Sequence, residues 1–259
     1  MDKFSHSRVS HGADSVGQVI QVAAPLRVRE RLSAAPDGPR HMVHGGATAI
    51  YVDLDGWCLG LVASTASRVP CALWTSLPDL GDLAGGPVAL VDSTLVVAGH
   101  EVRVSRVVDP TARHLGRHEI RVSEPAVLMT SGLDLPAAGP LTADHVAHLI
   151  GRGPGLTPLG DDVLAGWFAA RHAAGQPDTT LAAAVRPRLG ATTLLSATLL
   201  DCAMRGEALP QLAAWLAEPA PSTTEALLAV GATSGTGLLA GAELALSSLA
   251  AHHRPGRAA

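Results

Sequence analysis

The stretch "GRGPGLTPLGDDVLAG" (Gly151–Gly166) contains five glycines, two prolines and two adjacent aspartates, and apolar residues follow it. Glycine and proline at this density indicate a loop, and the apolar residues indicate that a helix begins there. The first N–H groups of a helix have no partner within the helix, and glycine lets a backbone approach a ligand closely. We therefore expect the functional site of this chain where the loop meets its helix.

The second part of this stretch recurs later in the chain, as an internal repeat that we call the echo. The segment "GDDVLAG" (Gly160–Gly166) returns as "GTGLLAG" (Gly235–Gly241), 75 residues further on, with Gly, Leu, Ala and Gly in register. The loop before the second copy, "GATSG", carries Thr233 and Ser234. Two helix starts that face one cavity favour an anion, because helix N-termini carry partial positive charge. A shared fold origin of the two units explains the echo equally well, with no ligand.

The pattern of apolar residues differs between the first and second halves of the chain. Residues 17 to 108 contain short Val- and Ile-rich runs separated by turn residues, which predict strands. From about residue 141 the apolar residues follow a helical period. We predict an α+β fold: an antiparallel β-rich domain like a barrel or sandwich at 17–110, a connection at 111–140, and an Ala/Leu-rich helical domain at 141–253 that carries the loop.

Three local signals place helix starts in the second half. Thr142 is a candidate N-cap, and Pro210 stands where the first turn of a helix tolerates a missing N–H. Ser222 and Glu225 have the spacing of a capping box.

Composition excludes several classes of protein. Hydrophobic residues make up 47% of the 259, which can fill a core, and the net charge of −4 comes without a basic cluster, so no nucleic-acid partner is expected. No uninterrupted apolar run is long enough for a membrane span, and the polar N-terminus lacks a signal peptide, which predicts a cytoplasmic protein. Three cysteines with no C-x-x-C spacing are expected to be small buried residues.

Asp161 and Asp162 complicate the anion hypothesis, because their charges would repel a bound phosphate. Three interpretations remain open: a helix cap, a Mg²⁺ ion between the carboxylates and the anion, or a general base or cation-holding group. Neighbouring residues of a helix point about 100° apart, so the two carboxylates cannot share one role. We expect Asp161 mainly to cap and Asp162 to face the pocket, with both as candidate catalytic or metal-binding residues. The remaining candidate ligand-binding residues are Arg152, Gly153, Gly155, Thr157, Gly160, Thr233, Ser234 and Gly235.

The two glycine-rich segments resemble signatures of a bacterial family of unknown function that includes AllH, a subunit of oxamate carbamoyltransferase in allantoin degradation. The first resembles the pattern G-x-G-x-G-L-T-P-S-G-D-D-x-L-x-G. The second, "ATSGTGLLAG" (Ala232–Gly241), resembles a later element, S-G-x-D-x-L-x-G, which a histidine precedes. The chain departs from the family at Leu159, where serine is expected, at Ala232, where histidine is expected, and at Gly237, where aspartate is expected.

The resemblance implies carbamoyl transfer between oxamate and carbamoyl phosphate, a small anionic ligand, and companion transferase subunits. Catalysis of that kind rests on positioning and charge stabilisation. The three departures remove polar groups near the expected pocket. They favour an alternative: a non-catalytic ligand-binding or scaffold protein that keeps the pocket.

Overall fold

The structure, a computed structural model, describes residues 17–116, 120, 133, 135–136 and 139–252. Strands dominate the first half and helices the second, so the predicted α+β class is confirmed. Most of the predicted connection at 111–140 lies outside the described residues. The described strands are β1 Ile20–Pro25, β2 Gly38–Pro39, β3 Met42–Gly45, β4 Ala49–Asp53, β5 Cys58–Val62, β6 Ala72–Thr75, β7 Val88–Val91, β8 Thr94–Val97 and β9 His100–Val108.

These strands form one curled sheet in the order β2-β7-β8-β9-β1-β6-β5-β4-β3. Most neighbours are antiparallel, as predicted, but β1 runs parallel to β9 and β5 parallel to β6. The sheet is therefore mixed, with parallel pairing only at these two pairs of the described strands. A helix that the strand-like sequence did not predict, α1 (Leu26–Ala34), follows β1, and its Val28 and Leu32 are buried one turn apart.

The second half is helical, and its first residues agree with two of the three predicted helix starts. Thr142 is the N-cap of α2, and its N–H donates to Nδ1 of His145 at 3.0 Å. Pro210 is the first residue of α6. The capping box at Ser222 is wrong, because α7 begins one residue earlier, at Pro221. The helices are α2 Ala143–Leu149, α3 Leu159–Ala173, α4 Thr179–Val185, a 3₁₀ helix Arg186–Ala191, α5 Leu194–Ala203, α6 Pro210–Ala217, α7 Pro221–Leu228 and α8 Ser234–His252.

Two hydrophobic clusters hold the described part of the chain, one on the sheet and one among the helices. Helix α5 joins them, since its Leu195 and Cys202 belong to the cluster of the sheet. Its Thr198 also accepts a hydrogen bond from the N–H of Cys58 in β5, at 2.9 Å. The three cysteines are buried and free, as expected. None of the described helices is long and apolar enough to cross a membrane.

The glycines of the echo pack helix against helix. A side-chain carbon at Gly166 would overlap the carbonyl oxygen of Leu238, and one at Gly241 would overlap the carbonyl oxygen of Val163. Val163 and Leu238, like Gly166 and Gly241, occupy equivalent places in the two copies. α3 and α8 therefore cross in a pseudo-twofold arrangement that needs glycine on each side. The echo thus has a packing explanation that requires no ligand.

Candidate functional site

The two glycine-rich loops meet, as the echo predicts. The hydroxyl oxygens of Thr157, just before α3, and Ser234, the first residue of α8, lie 2.8 Å apart. Gly153 lets the first loop turn back, with φ +124°, and a side chain there would crowd the N–H of Leu159 at 2.8 Å. The starts of α3 and α8 therefore lie side by side.

Two of the backbone donors expected to hold an anion are already used within the protein. The N–H of Gly160 donates to the carbonyl of Arg152, and the N–H of Gly235 donates to the carbonyl of Val230, each at 2.9 Å. Arg152, Gly153 and other exposed loop residues do not line the cavity that lies beside the two helix starts. Recognition at this place therefore depends on side chains.

Asp161 fastens the loop. Its Oδ1 accepts a hydrogen bond from the N–H of Gly151 at 2.8 Å, and its Oδ2 accepts one from the hydroxyl of Thr192. The side chain is almost fully buried. The expected capping of its own helix is therefore not its main contact. Instead, the carboxylate ties α3 to the segments before α3 and α5.

Asp162 lies in the same turn and has different surroundings. Its side chain is buried against the cavity, and its Oδ2 has no hydrogen-bond partner. Burial raises the pKa of Asp162 to about 8, a hydrogen bond from Ser234 opposes the rise, and the charge of Asp161 adds to it. The carboxyl group is therefore mostly protonated at neutral pH and can donate a hydrogen bond into the cavity.

The cavity has a volume of about 230 Å³ and lies between the sheet and the helices. Its walls are mainly aliphatic, from α3, α5, α6 and the start of α8. Among the described residues, no Arg, Lys or His lines it. Its polar lining residues are Tyr51, Ser67, Thr157, Asp162, Glu207 and Ser234.

The cavity extends along α3. Contacts of Thr192 and Thr193 with Asp161 and Leu156 join the starts of α3 and α5, while Gly206, just after α5, lies against His172 near the end of α3. The two helices therefore run in the same direction. The α3 residues that line the cavity run from Asp162 to Ala169, a span of about 10 Å at 1.5 Å per residue.

Glu207 lies at the far end of this cavity from Asp162, because it follows α5. Its Oε2 is 3.3 Å from Nη1 of Arg27 in α1, and Arg27 also pairs with Asp201. These ion pairs join the two halves of the chain beside the cavity. The result is a cavity with a hydroxyl and carboxyl group at one end and a paired carboxylate at the other.

Three polar lining residues were not predicted from the sequence: Tyr51, Ser67 and Glu207. Tyr51 is the single tyrosine of the chain, which is the only sequence signal that could have singled it out. Burial raises its pKa, so its hydroxyl keeps its proton at neutral pH. Of the predicted site residues, Thr157, Asp162 and Ser234 line the cavity, whereas Asp161, Gly160 and Thr233 do not.

Two departures from the family pattern touch each other beside Asp162. A side-chain carbon at Gly237 would lie 2.7 Å from Cβ of Asp162 and 3.0 Å from Cδ1 of Leu159. The leucine at 159 therefore occupies space next to position 237, where the resembled signature predicts an aspartate. Ala232, the third departure, is exposed.

The structure gives no support to the Mg²⁺ interpretation. Within the described ranges, no group of three or more His, Cys, Asp or Glu side chains is placed to hold a metal ion. The two neighbouring carboxylates have separate surroundings, since both oxygens of Asp161 bind Gly151 and Thr192.

One comparison with known proteins identifies a relative. Residues 149–246 match the family model described as "Oxamate carbamoyltransferase subunit AllH". No curated protein and no solved structure matches the chain. The matched segment contains the glycine-rich loop, both copies of the echo, and the three polar residues that meet at one end of the cavity. The resemblance seen in the two signatures is thereby confirmed: residues 149–246, which carry this site, are similar to the AllH family.

Proposed function

We propose that this chain is a subunit or relative of an oxamate carbamoyltransferase-type enzyme, and that it binds a small carbamoyl-bearing ligand in the cavity. Thr157, Asp162 and Ser234 would hold the carbamoyl group between the starts of α3 and α8. The observation that carries the proposal is the buried, unpartnered Oδ2 of Asp162, a residue that lines the cavity inside the family-matched segment. Such an atom is costly to bury without a partner, and a ligand can supply one.

The chemistry of the lining favours a carbamoyl group over a phosphate group. A protonated Asp162 can donate to the carbonyl oxygen of a carbamoyl group. The hydroxyls of Thr157 and Ser234 can accept from the NH₂ group of the same carbamoyl group. A phosphate or carboxylate group would enter this cavity unfavourably, because its described lining offers no cationic side chain, so the carbamoyl end of the ligand is the part proposed to enter. The apolar walls would also exclude water from the reacting group.

Companion subunits are part of this proposal. The family description names a subunit, so carbamoyl transfer would require further chains to complete the active site. Asp162 would then act by donating a hydrogen bond to the carbamoyl oxygen, where negative charge develops as the carbonyl is attacked.

A thermal-shift series tests ligand binding. Oxamate, carbamoyl phosphate and inorganic phosphate are added separately to the wild-type chain and to Asp162→Ala and Asp161→Ala. We expect oxamate or carbamoyl phosphate to raise the melting temperature of the wild type, and this rise should be lost in Asp162→Ala, which removes the hydrogen-bond donor. Asp161→Ala is the matched control: it should melt earlier but keep the ligand response. A ligand response that Asp162→Ala retains would refute the assigned role.

A second candidate function has its own observation. Leu159 packs against Gly237, so the second carboxylate of the family pattern is absent from this corner. This favours a non-catalytic binding or scaffold protein that kept the cavity. Transfer activity measured with companion subunits decides between the two: binding without transfer at saturating ligand selects the second candidate.

A further inference from the structure

A second concave surface lies on the sheet, apart from the cavity. This groove of about 410 Å³ crosses β9, β1 and β6 and is closed on one side by the loop after β5. It is polar: Arg68 and Arg106 line it together with the hydroxyl-bearing side chains of Ser64, Ser76 and Ser105. The groove shares no lining residue with the cavity, so a ligand of the groove is independent of the proposed function.

A β-bulge shapes the groove. In the parallel pair of β1 and β9, Val22 pairs with Val104 and Ala23 with Arg106, which leaves Ser105 as an extra residue. Ser105 and Arg106 are both lining residues of the groove, and a bulge of this kind bends the strand locally. Ser105 donates to the carbonyl of Val22 at 3.2 Å, which holds the bulge.

The second arginine is positioned by an aromatic ring. The guanidinium carbon of Arg68 lies 5.8 Å from the ring centre of Trp74, and Trp74 donates through Nε1 to the carbonyl of Val69 at 2.9 Å. A cation over an indole face is attracted to it, so Arg68 is oriented along the wall of the groove.

Charge in the groove is one-sided. Among the residues that the structure describes, no acidic side chain lines it, and neither Arg68 nor Arg106 forms an ion pair. Arg103, also on β9, differs, because its Nη2 lies 2.6 Å from Oε2 of Glu101. Two unpaired guanidinium groups that share a concave surface with hydroxyls attract a doubly charged oxyanion.

We propose that this groove binds the phosphate group of inorganic phosphate or of a small phosphomonoester. Arg68 and Arg106 donate to the phosphate oxygens, and the hydroxyls of Ser64 and Ser76 supply further donors. A guanidinium group can form two parallel hydrogen bonds with phosphate, and a second guanidinium group adds further donors and charge, whereas one exposed ion pair contributes little.

Isothermal titration calorimetry with the full chain tests the site. Inorganic phosphate and glycerol phosphate are titrated separately at constant ionic strength into the wild type, Arg68→Gln, Arg106→Gln and Arg103→Gln. We expect saturable binding to the wild type, at least tenfold weaker binding to Arg68→Gln and Arg106→Gln, and unchanged binding to Arg103→Gln. Binding of inorganic phosphate alone identifies free phosphate as the ligand, and binding of both identifies the phosphate group.

Two results would overturn the proposal. One is the absence of saturable binding at millimolar concentrations of both ligands. The other is an equal loss of phosphate affinity in Arg103→Gln, which would show that the effect depends only on the net charge of the protein. Tryptophan fluorescence gives a second readout: the response to phosphate should vanish in Trp74→Phe, because Trp74 is the tryptophan that lines the groove.

Discussion

Replacing Asp162 by asparagine should change how the stability of the protein depends on pH. Burial raises the pKa of this carboxyl group from its ordinary 3.8 to about 8. The folded state therefore binds the proton more tightly than the unfolded chain does. Its contribution to stability is complete below the unfolded pKa and is lost as pH rises through the folded value. Each pH unit between the two values costs about 1.4 kcal/mol.

Asparagine has no proton to lose in this pH range, so Asp162→Asn lacks this pH-dependent contribution to stability. Between about pH 5 and about pH 8, the free energy of unfolding of Asp162→Asn should rise by about 4 kcal/mol relative to the wild type. Urea denaturation of both proteins across this range measures the difference. Burial also raises the pKa of Glu243, to about 7, but Glu243 titrates in both proteins and cancels in the comparison.

Parallel pH profiles for the two proteins would refute the reasoning, because they would mean that Asp162 titrates as an exposed carboxylate. Asp161→Asn is the control. It should destabilise the protein, since an NH₂ group would replace one of the two oxygens that accept hydrogen bonds from Gly151 and Thr192.

Three further outcomes are expected. Ser234→Ala should raise the pKa of Asp162 further, because the hydrogen bond from the serine hydroxyl lowers it. The same urea series would then show the decline in stability continuing to higher pH. If the decline ended at the same pH as in the wild type, the hydrogen bond between Ser234 and Asp162 would be contradicted. Gly166→Ala should lower the free energy of unfolding by about 1–3 kcal/mol, because the added carbon would overlap α8. Gly190→Ala should be nearly neutral, because no atom lies within 4 Å of the added carbon. Equal effects of the two variants in urea denaturation would contradict the packing argument. Arg27→Met should lower the free energy of unfolding by about 3 kcal/mol in the same assay, because Glu207 would lose its cation and Asp201 would keep only Arg205, at 3.7 Å; a neutral result would mean that these ion pairs contribute little.

Local signals were enough to predict much of the fold. The change from strand-like runs to helical periodicity separates the two halves, and Thr142 and Pro210 lie at helix starts as their side-chain chemistry requires. The helix α1 was missed because its short run follows β1 inside a strand-rich region. The buried residues Val28 and Leu32, four apart, were the available signal for it.

The sequence by itself determined where a loop meets a helix, that two such units exist, and which family they resemble. These are properties of spacing and residue type along neighbouring positions. The tertiary structure decided what the residues do there. The glycines of the echo let α3 and α8 pack closely, and Asp161 joins α3 to Gly151 and Thr192 through hydrogen bonds. Asp162 lines a cavity to which Tyr51 and Glu207 also contribute. Burial, pKa and the convergence of distant side chains depend on which segments pack together. Spacing along the chain does not encode those contacts locally.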